Sequence, residues 1–283
     1  MVPHGERSWR VTQAGPHHIL TMDLPIKLIS TDFDGTLFAE FETPPIPEQL
    51  TALIGRLQQR GVKWVINTGR DMASLMESLG RARIPVQPDY LVLVEREIFE
   101  HREGRFAPVG EWNNACAADH AALFARVLPD VPDLEGWITN RFLATVYEDP
   151  HSPLCVIAAN NGDMDVIHTR LEEYCRQIPG LTVVRNDVYA RFSHVNYDKG
   201  TALAEITRRL GLDATSVFAI GDHLNDLPML QKRHAAYLAA PSNSVPQTLE
   251  TVRAAQGYLC RNATGHGVLE ALQFFLNGCQ SGI

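Results

Sequence analysis

Three absences narrow the field before any residue is singled out. No apolar run of the 283 residues nears the roughly 18 that a membrane-crossing helix needs, so no such helix is expected. There is no basic surplus: 25 Lys and Arg face 33 Asp and Glu, a net charge of −8. A non-specific nucleic-acid binder would show the opposite balance. An anionic small molecule would need local cations in its site instead. The five cysteines (116, 155, 175, 260 and 279) are odd in number and form no CxxC, which excludes a disulfide framework and a zinc cluster. They read as small buried apolar residues in a reducing compartment, and a cytoplasmic location is expected. Internal repeats and low-complexity tracts are also missing. Residues 1–21 carry arginines but no apolar stretch of signal-peptide type, and are expected to be a polar, poorly ordered extension.

What is present suits a folded α/β chain. Hydrophobic residues make up 45% and charged ones 20%, enough for a core. Lys27 to Thr31 reads as a buried strand running into Asp32. Leu50, Leu53, Ile54 and Leu57 mark a helix over 48–60. A strand over 62–67 ends at Thr68-Gly69-Arg70. Asp71 caps a helix that Gly80 closes, and 90–94 is a third strand. Residues 97–107 alternate about Glu103-Gly104 as a hairpin. Alternating strands and helices predict a parallel sheet with crossover helices.

The middle of the chain breaks that rhythm. Helices are expected over 115–128 and 163–178, strands over 142–147 and 154–159, and a hairpin over 181–192 turning at Asn186-Asp187. The first pattern then resumes with a helix over 199–210 and a strand over 216–220. A helix is expected from 224 to 231, a short strand over 235–238, and helices over 245–255 and 267–276. The resulting fold class is α/β: a Rossmann-like parallel-sheet core of residues 22–108 and 194–283, interrupted by an α+β module at 109–193.

Four features carry chemistry. Asp32-Phe33-Asp34-Gly35-Thr36 places two carboxylates just past a buried strand, where open parallel sheets collect ligands. Such a pair suits a nucleophile and a general acid/base. Gly221-Asp222-His223-Leu224-Asn225-Asp226 follows a second apolar strand and offers oxygen ligands of the kind Mg²⁺ takes. Thr68 ends a strand and can hold a phosphate oxygen with nearby N–H groups. Lys199 opens a helix, where a cation opposes the dipole and needs an anionic partner. Each feature has a plainer reading, as a strand-end turn, a helix cap or a surface lysine. Together, all four can reach one edge of one sheet.

In that combination the chain resembles the haloacid dehalogenase superfamily of Mg²⁺-dependent phosphohydrolases. Asp32 to Leu37 is similar to its first motif, Thr68 to the second, Lys199 to the third, and Gly221-Asp222 through Asn225-Asp226 to the fourth. Only 34 positions separate Asp34 from Thr68, but 131 separate Thr68 from Lys199, which leaves room for a C2-type cap at 109–193. Thr68-Gly69-Arg70 and Asn225-Asp226-Leu227-Pro228-Met229 are in the style of the Cof-like and sucrose-phosphatase-like branch. Two departures fall on the substrate side: Glu95-Arg96 replaces the usual Asn-Gly, and His223 replaces a small residue.

The resemblance implies an aspartyl-phosphate mechanism. Asp32 is the nucleophile and Asp34 the acid/base. Thr68, Lys199 and Asn225 hold the phosphoryl group. Asp32, Asp34 (through its carbonyl) and Asp222 hold Mg²⁺, with Asp226 orienting a metal-bound water. The expected substrate is a small phosphorylated metabolite, foremost a sugar phosphate, with no nucleic-acid or membrane partner and a monomer or weak homodimer as the assembly. The competing readings are a phosphotransferase or phosphomutase using the same intermediate, and a non-catalytic phosphate-ligand-binding protein. Arg141, Asn160, Asn161, Asp163 and His168 are polar residues of the cap segment, with Asn160-Asn161-Gly162-Asp163 reading first as a loop and helix cap.

Overall fold

The computed structural model describes residues 24–278. The expectations for residues 1–21 and for Cys279 therefore lie outside the described residues. Two sheets organise the chain. The larger begins with β1 (Leu28–Thr31), α1 (Glu48–Gln59), β2 (Lys63–Asn67), α2 (Met72–Ala82), β3 (Tyr90–Leu93), β4 (Glu97–Arg102) and β5 (Arg105–Pro108). Next come α3 (Gly110–Val127), α4 (Val131–Thr139), β6 (Ala144–Asp149), β7 (Ser152–Ala158), α5 (Asn161–Cys175), β8 (Leu181–Asn186) and β9 (Tyr189–His194). The chain then returns through α6 (Lys199–Arg209), β10 (Val217–Ile220), β11 (Tyr237–Ala240), α7 (Pro246–Ala254), β12 (Tyr258–Leu259) and α8 (Thr264–Gly278).

The larger sheet runs β12-β11-β10-β1-β2-β3-β4-β5 and is parallel up to β3, after which the β4–β5 hairpin turns it antiparallel. Its central strands β1 and β10 are buried along their whole length because both faces are covered. Successive side chains alternate faces. Ile29, Trp64, Ile66, Phe218 and Ile220 pack with Leu50 and Ile54 of α1 and with Val268 and Leu272 of α8. Leu28, Val65, Val217 and Ala219 pack with Leu203 and Ile206 of α6 on the other face. The inserted unit is the antiparallel sheet β6-β7-β9-β8, with α3, α4 and α5 contributing Leu123, Leu134, Ile138, Ile167 and Leu171 to a separate core.

Register places the site. Thr31 pairs with both Ile220 and Ile66, and Asn67 pairs with Val92, so β10, β1, β2 and β3 end at one level. The segments after those ends therefore meet at a single edge. Asp32 N–H donates to the Ile220 carbonyl (3.0 Å) and Thr68 N–H to the Val92 carbonyl (2.9 Å), which continues the ladder into the loops.

Four local expectations need correction. Gly80 sits inside α2, which ends at Arg83 in the left-handed conformation (φ 49°), its N–H returning to the Leu79 carbonyl. No helix spans 224–231; the chain makes one 3₁₀ turn, Leu224–Asp226, and Pro228 brings no N–H to extend it. The strand expected at 235–238 lies at Tyr237–Ala240, in parallel register with β10. Helix α4 was not anticipated: Pro132 lies in its first turn, where proline is tolerated but reads from sequence as a loop signal. Among the described residues, Cys116, Cys155, Cys175 and Cys260 are buried free thiols, and no helix is long and apolar enough to cross a membrane.

The start of α6 packs tightly on the 224–228 turn. A Cβ on Gly200 would lie 2.4 Å from the Pro228 carbonyl oxygen. Replacing Gly200 with Ala is expected to cost about 1–3 kcal/mol by overpacking and to disturb Lys199 next to it. Urea denaturation of the variant checks this; an unchanged midpoint would contradict the packing account.

Candidate active site

Lys199 is the centre of the site. Its side chain is fully buried, and Nζ donates to Asp32 Oδ1 and to Asp226 Oδ1, each at 2.6 Å. An unpaired buried ammonium would be prohibitively costly, so these partners are a condition of its burial. Burial pulls the Lys199 pKa down, but Asp226, Asp32 and Glu95 outweigh it and hold the amine charged. The helix start is secured by a capping box between Asp198 and Thr201. The Asn67 side chain fixes the Lys199 carbonyl at 2.9 Å.

Asp32 is nearly buried at the end of β1. Burial, then the charge of Asp226, lifts its carboxyl well above the ordinary range, and Lys199 offsets only part of that. Asp222 follows β10, and burial together with Asp226 pushes its carboxyl up to about 6. Thr36 Oγ1 donates to Asp222 Oδ1 at 2.6 Å. The approach is close because Gly35 takes φ +73° and a Cβ there would lie 2.6 Å from Asp222 Oδ2. Asp226 does more than its expected role required: besides Lys199, its second oxygen accepts the N–H groups of Asp222 and His223 at 2.9 and 3.0 Å.

The donors fit a hard divalent cation. One carboxylate oxygen from each of Asp32, Asp222 and Asp226 lies within 4.8 Å of the others. Asp226 is committed to Lys199 and the backbone, which leaves Asp32 and Asp222 as the ligands that could hold Mg²⁺. Asp32 is buried and Asp222 half-buried, both carboxyls are shifted upward, and carboxylate oxygen is what Mg²⁺ prefers.

Asp34 faces the other way. Arg70 Nε and Nη2 donate to its two oxygens at 2.8 and 2.6 Å. Arg70 is itself held by Ser74 and Ser78 through Nη1 at 3.0 and 2.7 Å, and lies over the Phe33 ring at 5.3 Å. Thr68 is buried, and its Oγ1 accepts the Arg70 N–H at 3.1 Å.

A cavity of about 150 Å³ opens among these groups. Asp32, Asp34, Thr68, Arg70, Glu95 and Asn225 line it from the larger sheet, and Asn186, Tyr189 and Arg191 close it from the β8–β9 hairpin. Asp32, Asp34, Thr68 and Asn225 thus meet at one cavity, with Lys199 joined through Asp32 and Asp222 through Thr36 and Asp226. Sequence reasoning assigned no role to Arg70, Glu95 or Arg191. Arg70 lay in the quoted Thr68-Gly69-Arg70, and Glu95 was visible only as a departure from a pattern. Arg191 carried no signal. Of the polar residues in the inserted segment, Asn160 caps α5 by accepting the Asp163 N–H at 2.9 Å. Arg141, Asn160, Asn161 and Asp163 do not line this cavity, and His168 lines a neighbouring one of about 450 Å³.

Comparison with known proteins shows a family and a shared fold. The sequence profile of a family described as "haloacid dehalogenase-like hydrolase" matches residues 29–88 and 140–272. A Bacillus subtilis (strain 168) protein named "Putative phosphatase YxeH" is 24% identical over 270 residues, covering 87% of this chain and 97% of its own. A Streptococcus pyogenes protein, "Putative phosphatase M6_Spy0533", is 23% identical and covers 88% of this chain and 98% of its own. Among solved structures, the sucrose-phosphatase of Synechocystis sp. PCC6803, determined with sucrose and phosphate, is similar in fold. Its TM-score is 0.68 at 18% identity, over 89% of this chain and 98% of that one.

Asp222 makes a prediction about pH. Its folded pKa is raised from 3.8 to about 6, so its share of stability is whole below pH 3.8 and is lost as pH rises through 6. In EDTA, Asp222→Asn is expected to melt a few degrees above the wild type at pH 7, the gap closing toward pH 4. Mg²⁺ should raise the Tm of the wild type at pH 7 and leave the variant's unchanged. Thermal melts at both pH values check this; a variant less stable than wild type at pH 7 would contradict it.

Proposed function

The chain belongs to the haloacid dehalogenase-like hydrolases, and from that premise we propose that it is a Mg²⁺-dependent phosphatase of small phosphorylated metabolites, foremost sugar phosphates. One observation carries the reading: a fully buried lysine bonded to both Asp32 and Asp226, at an edge where Asp222, Thr68 and Asn225 also meet. That arrangement puts positive charge beside a carboxylate nucleophile in a place water reaches poorly, where electrostatic stabilisation is strongest.

The residues divide the work. Asp32 attacks phosphorus in line, its new oxygen–phosphorus bond forming as the ester oxygen–phosphorus bond breaks. Lys199, the Thr68 hydroxyl and the Asn225 amide hold the phosphoryl oxygens. Asp34 gives its proton to the leaving oxygen, then takes one from the water that hydrolyses the aspartyl-phosphate. To do so it leaves the two bonds from Arg70. Water attack releases inorganic phosphate and returns Asp32 to its starting form. Asp32, Asp222 and the Asp34 carbonyl would hold Mg²⁺, whose chemistry when bound is to neutralise charge on the phosphoryl oxygens.

Residues 109–193 act as a cap in this reading, closing the leaving-group side against water. The placing of Asn186, Tyr189 and Arg191 around the cavity supports that. The four described cysteines, buried and unpaired with one another, support a cytoplasmic setting. The acidic balance argues against a nucleic-acid partner.

Phosphate release from a panel of phosphorylated sugars and related metabolites, with Mg²⁺ and with EDTA, tests the function. Mg²⁺-dependent release is expected. Asp32→Asn should lower kcat by roughly 10⁴-fold or more with the circular dichroism spectrum unchanged. Turnover retained in that variant would remove Asp32 from the nucleophile's role.

A further inference from the structure

Glu95 reaches the cavity by a strained route. Val94 and Glu95 follow β3 with φ of 44° and 66°. Two successive non-glycine residues in the left-handed region, one of them β-branched, are costly and persist only where the surroundings enforce them. Here Val94 N–H is held by the Arg70 carbonyl at 3.0 Å and Glu95 N–H by the Thr68 carbonyl at 2.9 Å. The result turns the Glu95 carboxylate back over Gly69 and into the lining of the catalytic cavity.

Arg191 meets it from the inserted unit. Its Nη2 donates to the Val94 carbonyl at 2.6 Å and to Glu95 Oε2 at 3.1 Å, and the side chain is nearly fully buried. Glu95 Oε1 accepts from Asn225 Nδ2 at 2.9 Å. Burial raises the Glu95 carboxyl, but Arg191 and Lys199, with the hydrogen bond from Asn225, outweigh it and hold the group below its ordinary range. A fixed negative charge therefore stands in the wall of the cavity with its cation already engaged. Two polar atoms of the same cluster, Arg191 Nε and Asn225 Oδ1, are buried and make no hydrogen bond among the described residues. One is a donor and the other an acceptor.

This chemistry discriminates between leaving groups. A hydroxyl can donate to the Glu95 carboxylate and brings no charge to it. A carboxylate or second phosphate only accepts, and would face the Glu95 charge.

We propose that Glu95 and Arg191 are the specificity-determining pair of this site, and that they select phosphate monoesters whose leaving group is uncharged and hydroxylated. The proposal rests on the phosphatase reading above and names the substrate class within it. The pair spans the two parts of the chain, so it recognises the leaving group only when the inserted unit is seated on the larger sheet.

The test compares glycerol 3-phosphate with 2-phosphoglycolate, similar in size but differing in charge, and includes acetyl phosphate, which carries neither a hydroxyl nor a carboxylate. Phosphate release with Mg²⁺ is measured for wild type, Glu95→Gln and Arg191→Lys. Wild type is expected to favour glycerol 3-phosphate over 2-phosphoglycolate by at least ~10-fold in kcat/KM. Glu95→Gln should shrink that ratio by about 10-fold, chiefly by lowering KM for the carboxylate ester. Arg191→Lys keeps the charge but loses the fork that holds both the Val94 carbonyl and Glu95, and should raise KM for glycerol 3-phosphate more than it changes kcat. Wild type indifferent to the leaving-group charge, or favouring 2-phosphoglycolate, overturns the proposal, and this ratio is read whether or not a variant folds. A folded Glu95→Gln with the wild-type ratio overturns it too. Acetyl phosphate hydrolysed without discrimination between the other two refutes the specificity pair alone. No release from any of the three or from any phosphorylated sugar refutes the phosphatase reading and the pair together.

Discussion

The structure turns on one buried ammonium between two carboxylates. Lys199 is fully enclosed, with Asp32 and Asp226 each 2.6 Å from Nζ. None of the three could be buried as a charge alone. Their mutual dependence links the end of β1, the turn after β10 and the start of α6, three segments far apart in sequence. Asp226 adds the N–H groups of Asp222 and His223, so the same carboxylate that steadies the lysine also shapes the loop presenting Asp222. Removing one partner would leave the others uncompensated, at a cost of about 3–5 kcal/mol for a buried pair.

Around that centre, charge is apportioned in matched sets. Lys199 serves Asp32 and Asp226, Arg70 serves Asp34, and Arg191 serves Glu95. Asp222 has no cationic side chain paired to it among the described residues and an upward-shifted carboxyl, and a divalent cation fits beside it. The third set differs from the first two because its cation comes from the inserted unit. The seating of that unit on the larger sheet thereby includes a particular polar contact, in addition to the general burial of surface.

Much of this was legible in sequence, for a physical reason. Strand ends of a parallel sheet lie at one level, so acidic and hydroxylic residues directly after buried apolar runs must share an edge. Asp32, Thr68 and Asp222 each follow such a run, and Lys199 opens a helix where only an anionic partner makes a cation tolerable. The Asp71 and Asn160 caps were local enough to read the same way. What escaped depends on distance or on backbone strain. Arg191 and Glu95 are 96 positions apart and meet only through the seating of one sheet on another. Nothing in Val94-Glu95 announces a left-handed backbone, because residues of those types normally avoid it. Pro132 disguised the start of α4, and Gly80 suggested a helix end that Arg83 supplies three residues later.

The most direct measurement of the central claim is chemical capture of the intermediate. The protein is quenched during turnover of a phosphate monoester with Mg²⁺, treated with borohydride, and its peptides are examined by mass spectrometry. Reduction of an acyl phosphate converts an aspartate to homoserine, and the account predicts homoserine at position 32 alone. Phosphate released at the full rate with no conversion, or with conversion at another carboxylate, would contradict it.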